Sequence, residues 1–103
     1  MKSRLVISVF LLVALPCGAA PQPIEGFYRF GHEVNTVCAG APEKCYWLVD
    51  TDAEIRQQLK QQVTALPPYT PVCLRLEAEL SPQKADGFGL DYNGSVRVAK
   101  LLG

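Results

Sequence analysis

The feature that most constrains the fold is residues 33–50, which read EVNTVCAGAPEKCYWLVD. Two apolar-rich runs flank a six-residue connection that contains Gly40 and Pro42, and Cys38 and Cys45 stand at its edges. Such runs joined by a short glycine-containing connection are typical of a β-hairpin. The sequence therefore predicts two antiparallel strands that a disulfide can join.

Placing Cys38 opposite Cys45 fixes the register of this hairpin and sets Thr36 opposite Trp47. Side chains alternate between the two faces of a strand, so each face can be read from the sequence. The more apolar face is expected to be buried, and it carries Val34, Thr36, Cys38, Cys45, Trp47 and Val49. The other face is mixed in character, and it carries Glu33, Asn35, Val37, Tyr46, Leu48 and Asp50.

The start of the chain has the organisation of a secretory signal. Lys2 and Arg4 precede an apolar run over residues 5–15, and small residues follow. The run is shorter than the ~20 apolar residues that a bilayer-spanning helix needs. We therefore predict a cleavable signal peptide over residues 1–19, a single domain over residues 20–103, and a periplasmic or secreted location.

Cys17 raises the alternative of a lipid anchor, because a cysteine that follows an apolar signal run can accept a lipid. Lipid-accepting cysteines normally follow a small residue, whereas Pro16 precedes this one. Cys17 is therefore expected to leave with the signal peptide. Membrane attachment is expected only if Cys17 is lipidated.

The charge of the predicted mature chain disfavours one class of partner. Loss of the signal removes Lys2 and Arg4, which leaves ten acidic against eight basic side chains and a net charge of −2. A nucleic-acid-binding domain normally presents a clustered basic surface, so nucleic acid is not an expected partner. Export to an oxidising compartment, in contrast, favours disulfide bonds.

The rest of the chain predicts one helix among strands. Residues 26–31 are rich in aromatic side chains and read as a first strand that bends at Gly31. Residues 51–66 read as a helix, in which Thr51 and Glu54 are spaced as a capping box. An apolar stripe along this helix consists of Ile55, Leu59 and Val63.

Two further segments complete the pattern. Residues 71–80 alternate between apolar and polar side chains and predict a half-buried strand. Asn93 and Gly94 lie between alternating runs and predict a final hairpin. This order predicts a mainly β fold: a small antiparallel barrel like the oligonucleotide/oligosaccharide-binding (OB) fold, with five to six strands and one α-helix between strands three and four.

Three cysteines follow the predicted signal, so a single bridge leaves one of them over. The parity of the hairpin favours a disulfide between Cys38 and Cys45, and leaves Cys73 on the polar face of its strand as a free thiol. The alternative joins Cys73 to one of the other two cysteines, which requires the parity to fail at a corner of the barrel.

The sequence offers little for metal or catalytic chemistry. It contains no CxxC or HxxxH spacing, although structural zinc sites usually place ligand pairs a few residues apart. His32 is its single histidine and the only one that could serve as a base, and the sequence offers no Ser-His-Asp arrangement around it. We therefore predict no catalytic site, no metal and no cofactor.

Aromatic side chains make binding the best remaining function. Trp47 and most of the first-strand aromatics are expected in the core. Tyr46 on the mixed face and Tyr69 in a proline-rich loop are the candidates for a surface platform, and Glu33 and Asn35 share the face of Tyr46. A mildly acidic surface favours a protein, peptide or glycan partner.

Three segments within residues 26–80 carry a family resemblance: GFYRFGHEVNTVC, YWLVDTDAEIRQQL and PVCLRLEAEL. They resemble the C-terminal OB-fold domain of the NlpE-type envelope lipoproteins. The resemblance implies a cell-envelope protein linked to stress sensing, and it implies that Cys38 forms a disulfide. The copper-associated CxxC of that family lies in a separate N-terminal domain, so copper handling is not carried over.

Together, these observations predict an exported, non-catalytic binding module of the bacterial cell envelope, related to envelope stress. The alternative is a periplasmic inhibitor or immunity-type protein that blocks another protein through the loop over residues 39–44.

Overall fold

The computed structural model describes residues 20–103, so the predicted signal peptide and Cys17 lie outside the described residues. Within residues 20–103, five strands, one α-helix and one short 3₁₀ helix follow one another. Their bounds are β1 Gln22–Gly31, β2 Val34–Ala39, β3 Lys44–Leu48, α1 Ala53–Val63, β4 Val72–Ser81, the 3₁₀ helix Gly87–Asp91 and β5 Gly94–Leu101.

The five strands form a closed barrel in the order β1-β2-β3-β5-β4, and β4 pairs with β1. Every neighbouring pair is antiparallel except β3 and β5, which are parallel. The helix α1 connects β3 to β4, as predicted. The structure thus confirms a mainly β, OB-like barrel with five strands, and closure leaves no unpaired sheet edge.

The predicted hairpin around Asn93 and Gly94 is wrong. The chain before them forms the 3₁₀ helix, and β5 is a single strand that starts at Gly94. The backbone N–H of Asn93 donates to the carbonyl oxygen of Cys45 (2.8 Å), and the Asn93 Oδ1 accepts from the N–H of Cys45 (2.9 Å). These long-range bonds to β3 take the place of the local turn. A Cβ at Gly94 would collide with the carbonyl oxygen of Ser81, which accounts for the glycine.

The buried face of the β2–β3 hairpin was also predicted wrongly. Val37 and Leu48, from the mixed face, lie in the barrel core, and Tyr46 packs against it. Trp47 therefore points to the outside of the barrel, where the 3₁₀ helix partly covers it. Thr36 is buried on that same outer side, so both faces of the hairpin lose contact with water and their relative polarity does not separate them.

Two periodic patterns are confirmed. Along β4 the alternate side chains are buried while Cys73 is exposed, and Leu59 is fully buried at the centre of the helix stripe. The core contains Tyr28, Val37, Leu48, Leu59, Leu74, Leu76, Ala78, Val96 and Val98.

The helix begins later than predicted, at Ala53, because Thr51 is used elsewhere. The buried Thr51 Oγ1 donates to the carbonyl oxygen of Val49 (3.0 Å) and accepts from the N–H of Val98 (3.2 Å). These two bonds tie the entry of α1 to β5, and no side-chain cap bond forms at Asp52. The helix ends at Val63, before the predicted boundary.

Tyr28 places a polar group inside the barrel. Its side chain is buried, and its hydroxyl donates a hydrogen bond to the Asn35 Oδ1 at 2.8 Å. Burial raises the pKa of Tyr28 from 10.0 to about 12, because the phenolate is poorly solvated there.

This shift predicts a loss of stability in alkali. Below pH 10.0 Tyr28 is protonated in both states, and the free energy of unfolding keeps its full value. As the pH rises from 10.0 towards about 12, this free energy falls, because the unfolded chain releases a proton that the folded chain retains. Tyr28→Phe should remove the latest phenolate absorbance step. At neutral pH it should cost about 1–3 kcal/mol, because the Asn35 amide oxygen loses its donor. Tyr92→Phe is the control and should keep the late step; a late step that survives Tyr28→Phe would contradict the assignment.

Candidate functional site

Aromatic and aliphatic side chains gather on the outside of the barrel, where β3 meets the connection between β4 and β5. The ring centroids of Trp47 and Tyr92 are 5.5 Å apart, and those of Trp47 and Phe88 are 6.5 Å apart. Phe88 remains 54% exposed and Leu90 55% exposed. We refer to Trp47, Phe88, Leu90 and Tyr92 as the outer aromatic face.

Close backbone contact holds the 3₁₀ helix against Trp47. Gly89 is buried there, and a Cβ at this position would lie 2.6 Å from the Ala85 Cβ and 3.2 Å from the Trp47 Cγ. The N–H of Tyr92 donates to the Gly89 carbonyl oxygen at 3.2 Å. Trp47 is thus fixed beneath the connection, while Phe88 stays accessible on top of it.

The disulfide lies next to this face and confirms the predicted pairing. Cys38 and Cys45 are bonded, and their Cα atoms are 4.0 Å apart on adjacent strands. Because Cys45 also binds Asn93 through its backbone, the bridge and the two hydrogen bonds together connect β2, β3 and the start of β5. A disulfide of this kind fits an oxidising compartment.

Among the cysteines of residues 20–103, Cys73 is the one outside the disulfide, and it is exposed, as predicted from its place on the polar face of its strand. It is paired in register with Phe27 on β1, which is in turn opposite Cys38 on β2. Phe27 points outward and is 42% exposed. The free thiol and the disulfide therefore lie on the same outer surface, with Phe27 between them.

The acid and sulfur groups around the bridge do not make a metal site in this oxidised form. The ligand atoms of Cys38, Glu43 and Cys45 lie within 4.8 Å of one another. The two sulfur atoms are bonded to each other, so neither is the thiolate that a metal would require. Elsewhere, the His32 Nε2 lies 3.2 Å from the Glu33 carboxylate in an exposed pair.

Two of the predicted surface residues are only partly exposed. Tyr46 is half-buried and packs against the core, and Asn35 is held by the hydroxyl of Tyr28 inside the barrel. They were misplaced because the assignment of the hairpin faces was inverted. Glu33 is exposed in the turn between β1 and β2, where its φ of 60° is in the left-handed region.

Tyr69 is 44% exposed, but the structure uses it to brace the β1–β2 turn. Its hydroxyl donates to the His32 carbonyl oxygen (3.0 Å), and its N–H donates to the Phe30 carbonyl oxygen (3.1 Å). A Cβ added at Gly31 would overlap the Tyr69 ring, so the glycine makes room for the aromatic side chain. The Tyr69 ring therefore packs directly on Gly31, where the sequence predicted a bend.

A second surface feature lies at one end of the barrel, beside the turn that Tyr69 braces. It is a concavity that the sequence did not predict. We refer to it as the end groove; it has a volume of about 560 Å³ and is lined by residues 30–32, 60, 63–64 and 66–68. Most of its surface is apolar, and the Lys60 Nζ lies 5.4 Å from the centroid of the Phe30 ring. The apolar Leu66 followed by two prolines was the available signal in the sequence.

No family model matches the chain, and neither a curated protein nor a solved structure is significantly similar to it. Within residues 20–103, no helix is long and apolar enough to span a membrane. The fold and the two surfaces define the class: an OB-like barrel with a disulfide, an outer aromatic face and an end groove.

The disulfide should contribute measurably to stability. Cys38→Ala combined with Cys45→Ala is expected to lower the free energy of unfolding by about 2–3 kcal/mol, because the open chain gains loop entropy when unfolded. Denaturant unfolding of the oxidised protein measures this difference. Cys73→Ala is the matched control and should leave the midpoint nearly unchanged. If Cys73→Ala destabilised the protein as much as the combined Cys38→Ala and Cys45→Ala substitutions, the assigned role of the bridge would be contradicted.

Proposed function

We propose that this protein is an exported, non-catalytic binding module of the bacterial cell envelope, and that a partner protein docks on its outer aromatic face. The observation that carries the proposal is the pair of exposed side chains, Phe88 and Leu90, held by a connection that packs on Trp47. OB-fold proteins commonly bind their ligands on strands two and three and on the connection between strands four and five.

The energetics of this face suit docking. Burying a fully exposed Phe or Leu side chain is worth about 1.5–3 kcal/mol, and because Phe88 and Leu90 are about half exposed, a partner can gain roughly half of that from each. Because Gly89 and Asn93 already anchor the connection to β3, little conformational entropy remains to be lost on binding. The face therefore has the preorganised aromatic character of an interaction hot spot.

The surrounding charges favour a protein over a nucleic acid. Lys84, Asp86 and Asp91 in the connection give a mixed rather than a basic surface. Arg29 is in register with Thr36, which is opposite Trp47, so a guanidinium group borders the same side of the sheet. Arginine and aromatic side chains are both enriched in protein interfaces.

The disulfide supports the proposed periplasmic or secreted location, because such bridges persist in oxidising compartments. The resemblance to the NlpE-type lipoproteins supports envelope-stress sensing as the process. Both points extend the proposal beyond the binding surface itself, and neither calls for a catalytic residue.

A photo-crosslinking experiment tests the proposed face. With p-benzoylphenylalanine in place of Phe88, cells that export the protein should yield one discrete covalent adduct, which mass spectrometry identifies. Adding Leu90→Ser should lower its yield severalfold, because the partner loses an apolar contact. The same probe in place of Leu66, an exposed leucine in the end groove, is the matched control. Equal adducts from both positions would contradict docking at the outer aromatic face.

A second candidate function, an inhibitor or immunity-type protein, is favoured by the β2–β3 loop. Its tip, residues 40–43, is exposed, and the disulfide closes its base. A rigid projecting loop of this kind can enter the active site of another protein.

Replacing residues 40–43 with a two-residue Asn-Gly turn separates the two functions, because this turn keeps a hairpin. If the loop blocks a target, the replacement should abolish protection from that target while the Phe88 crosslink persists. Loss of the crosslink with protection retained would exclude the loop as the inhibitory element. Thermal unfolding checks that the shortened variant is folded.

A further inference from the structure

The end groove is a candidate site for a small molecule and shares no residue with the outer aromatic face. Its volume of about 560 Å³ is typical of a small-molecule pocket. Tyr69 braces the β1–β2 turn, and Gly31 and His32 of that turn line the groove, so this part of its wall is defined before any ligand enters. What it can bind is decided by the polar groups that it offers.

The backbone of the groove offers few hydrogen bonds to a ligand. Pro67 and Pro68 have no N–H, and the N–H of Leu66 already donates to the Val63 carbonyl oxygen (3.0 Å). The Pro67 carbonyl oxygen accepts two bonds from Thr70. A ligand that depends on backbone pairing, such as an extended peptide, therefore finds little to pair with.

Lys60 is a cation in this groove that has no anionic partner within residues 20–103. In the described chain, Lys60 forms no ion pair, whereas His32 is paired with Glu33. The Lys60 ammonium lies over Phe30, at the apolar wall. The Thr64 hydroxyl donates its proton to the Lys60 carbonyl oxygen (2.8 Å), so only its oxygen lone pairs remain, and they can only accept. Among the lining side chains, Lys60 thus supplies the one fixed positive charge, and it lies beside an apolar surface.

This combination selects a class of ligand. A sugar or a nucleotide would lose its hydrogen bonds to water without replacing them. A hydrocarbon chain needs none, and an acid group at one end of it would be attracted to the ammonium. We propose that the end groove binds a single-chain amphiphilic carboxylate, with its hydrocarbon chain against Phe30, Val63 and Leu66 and its carboxylate at Lys60.

The proposed binding extends the function beyond the outer aromatic face and does not depend on it. The hydrocarbon chain covers Leu66, which is otherwise exposed, so both surfaces leave water. Phe30 contributes to both parts of the site, because its ring offers a surface to the hydrocarbon chain and also holds the Lys60 ammonium near the place of the ligand's carboxylate.

Isothermal titration calorimetry with dodecanoate tests the proposal on the oxidised, exported protein. Below the micelle concentration, dodecanoate should bind at least tenfold more tightly than dodecyltrimethylammonium, which carries the opposite charge on the same chain. Methyl NMR signals of Val63 and Leu66 should shift on titration, which locates the bound chain.

Substitutions separate the charge from the apolar wall. Lys60→Gln should weaken dodecanoate binding about tenfold, the value of one charge-assisted contact. Lys60→Glu should reverse the preference in favour of dodecyltrimethylammonium. Leu66→Ser should weaken both amphiphiles. Lys44→Gln, at an exposed lysine on β3, and Phe88→Ala, on the other surface, are the matched controls and should bind dodecanoate normally.

Absence of dodecanoate binding, equal binding of the two amphiphiles, or unchanged affinity in Lys60→Gln would overturn the proposal. Shifts confined to signals around Phe88 would also overturn it, because they would place the chain on the other surface. None of these outcomes affects the crosslinking result, so the two proposals fail separately.

Discussion

The pairing of β5 with both β3 and β4 is the constraint on which the rest of the structure depends. It closes the barrel, because β5 is antiparallel to β4 on one side and parallel to β3 on the other. The connection from β4 to β5 places the 3₁₀ helix over Trp47 and Asn93 beside Cys45. On the same strand, the N–H of Val98 binds Thr51 and fixes the approach to the helix. One strand thus organises the core, the outer surface and the helix entry.

Local periodicity was sufficient for the elements whose environment is simple. The alternation over residues 71–80 and the helix stripe around Leu59 each report one buried side and one wet side, and both were correct. The pairing of Cys38 and Cys45 followed from the same hairpin register. These features depend on residues close in sequence or on a single buried interface. The sequence pattern alone is therefore enough to predict them.

The errors arose where distant segments decide the environment. Trp47 was expected in the core because it is apolar, but a segment some forty residues later covers it from outside. Asn93 was expected to turn the chain locally, whereas its hydrogen bonds go to Cys45. The end groove joins β1, the helix and the loop that follows it, so no single window of sequence could reveal it. Leu66, an apolar residue after the predicted stripe, was the one local sign of an exposed apolar surface near the end of the helix.

The two surfaces are anchored by different groups, and this separation bears on how such a chain can change over generations. Asn93 fixes one surface to β3, while Tyr69 seated on Gly31 fixes the other to the β1–β2 turn. Residues without shared partners usually contribute to stability additively. Mutations can therefore retune the exposed side chains of one surface without a compensating change in the other, and the barrel between them can serve as a scaffold on which two specificities diversify independently.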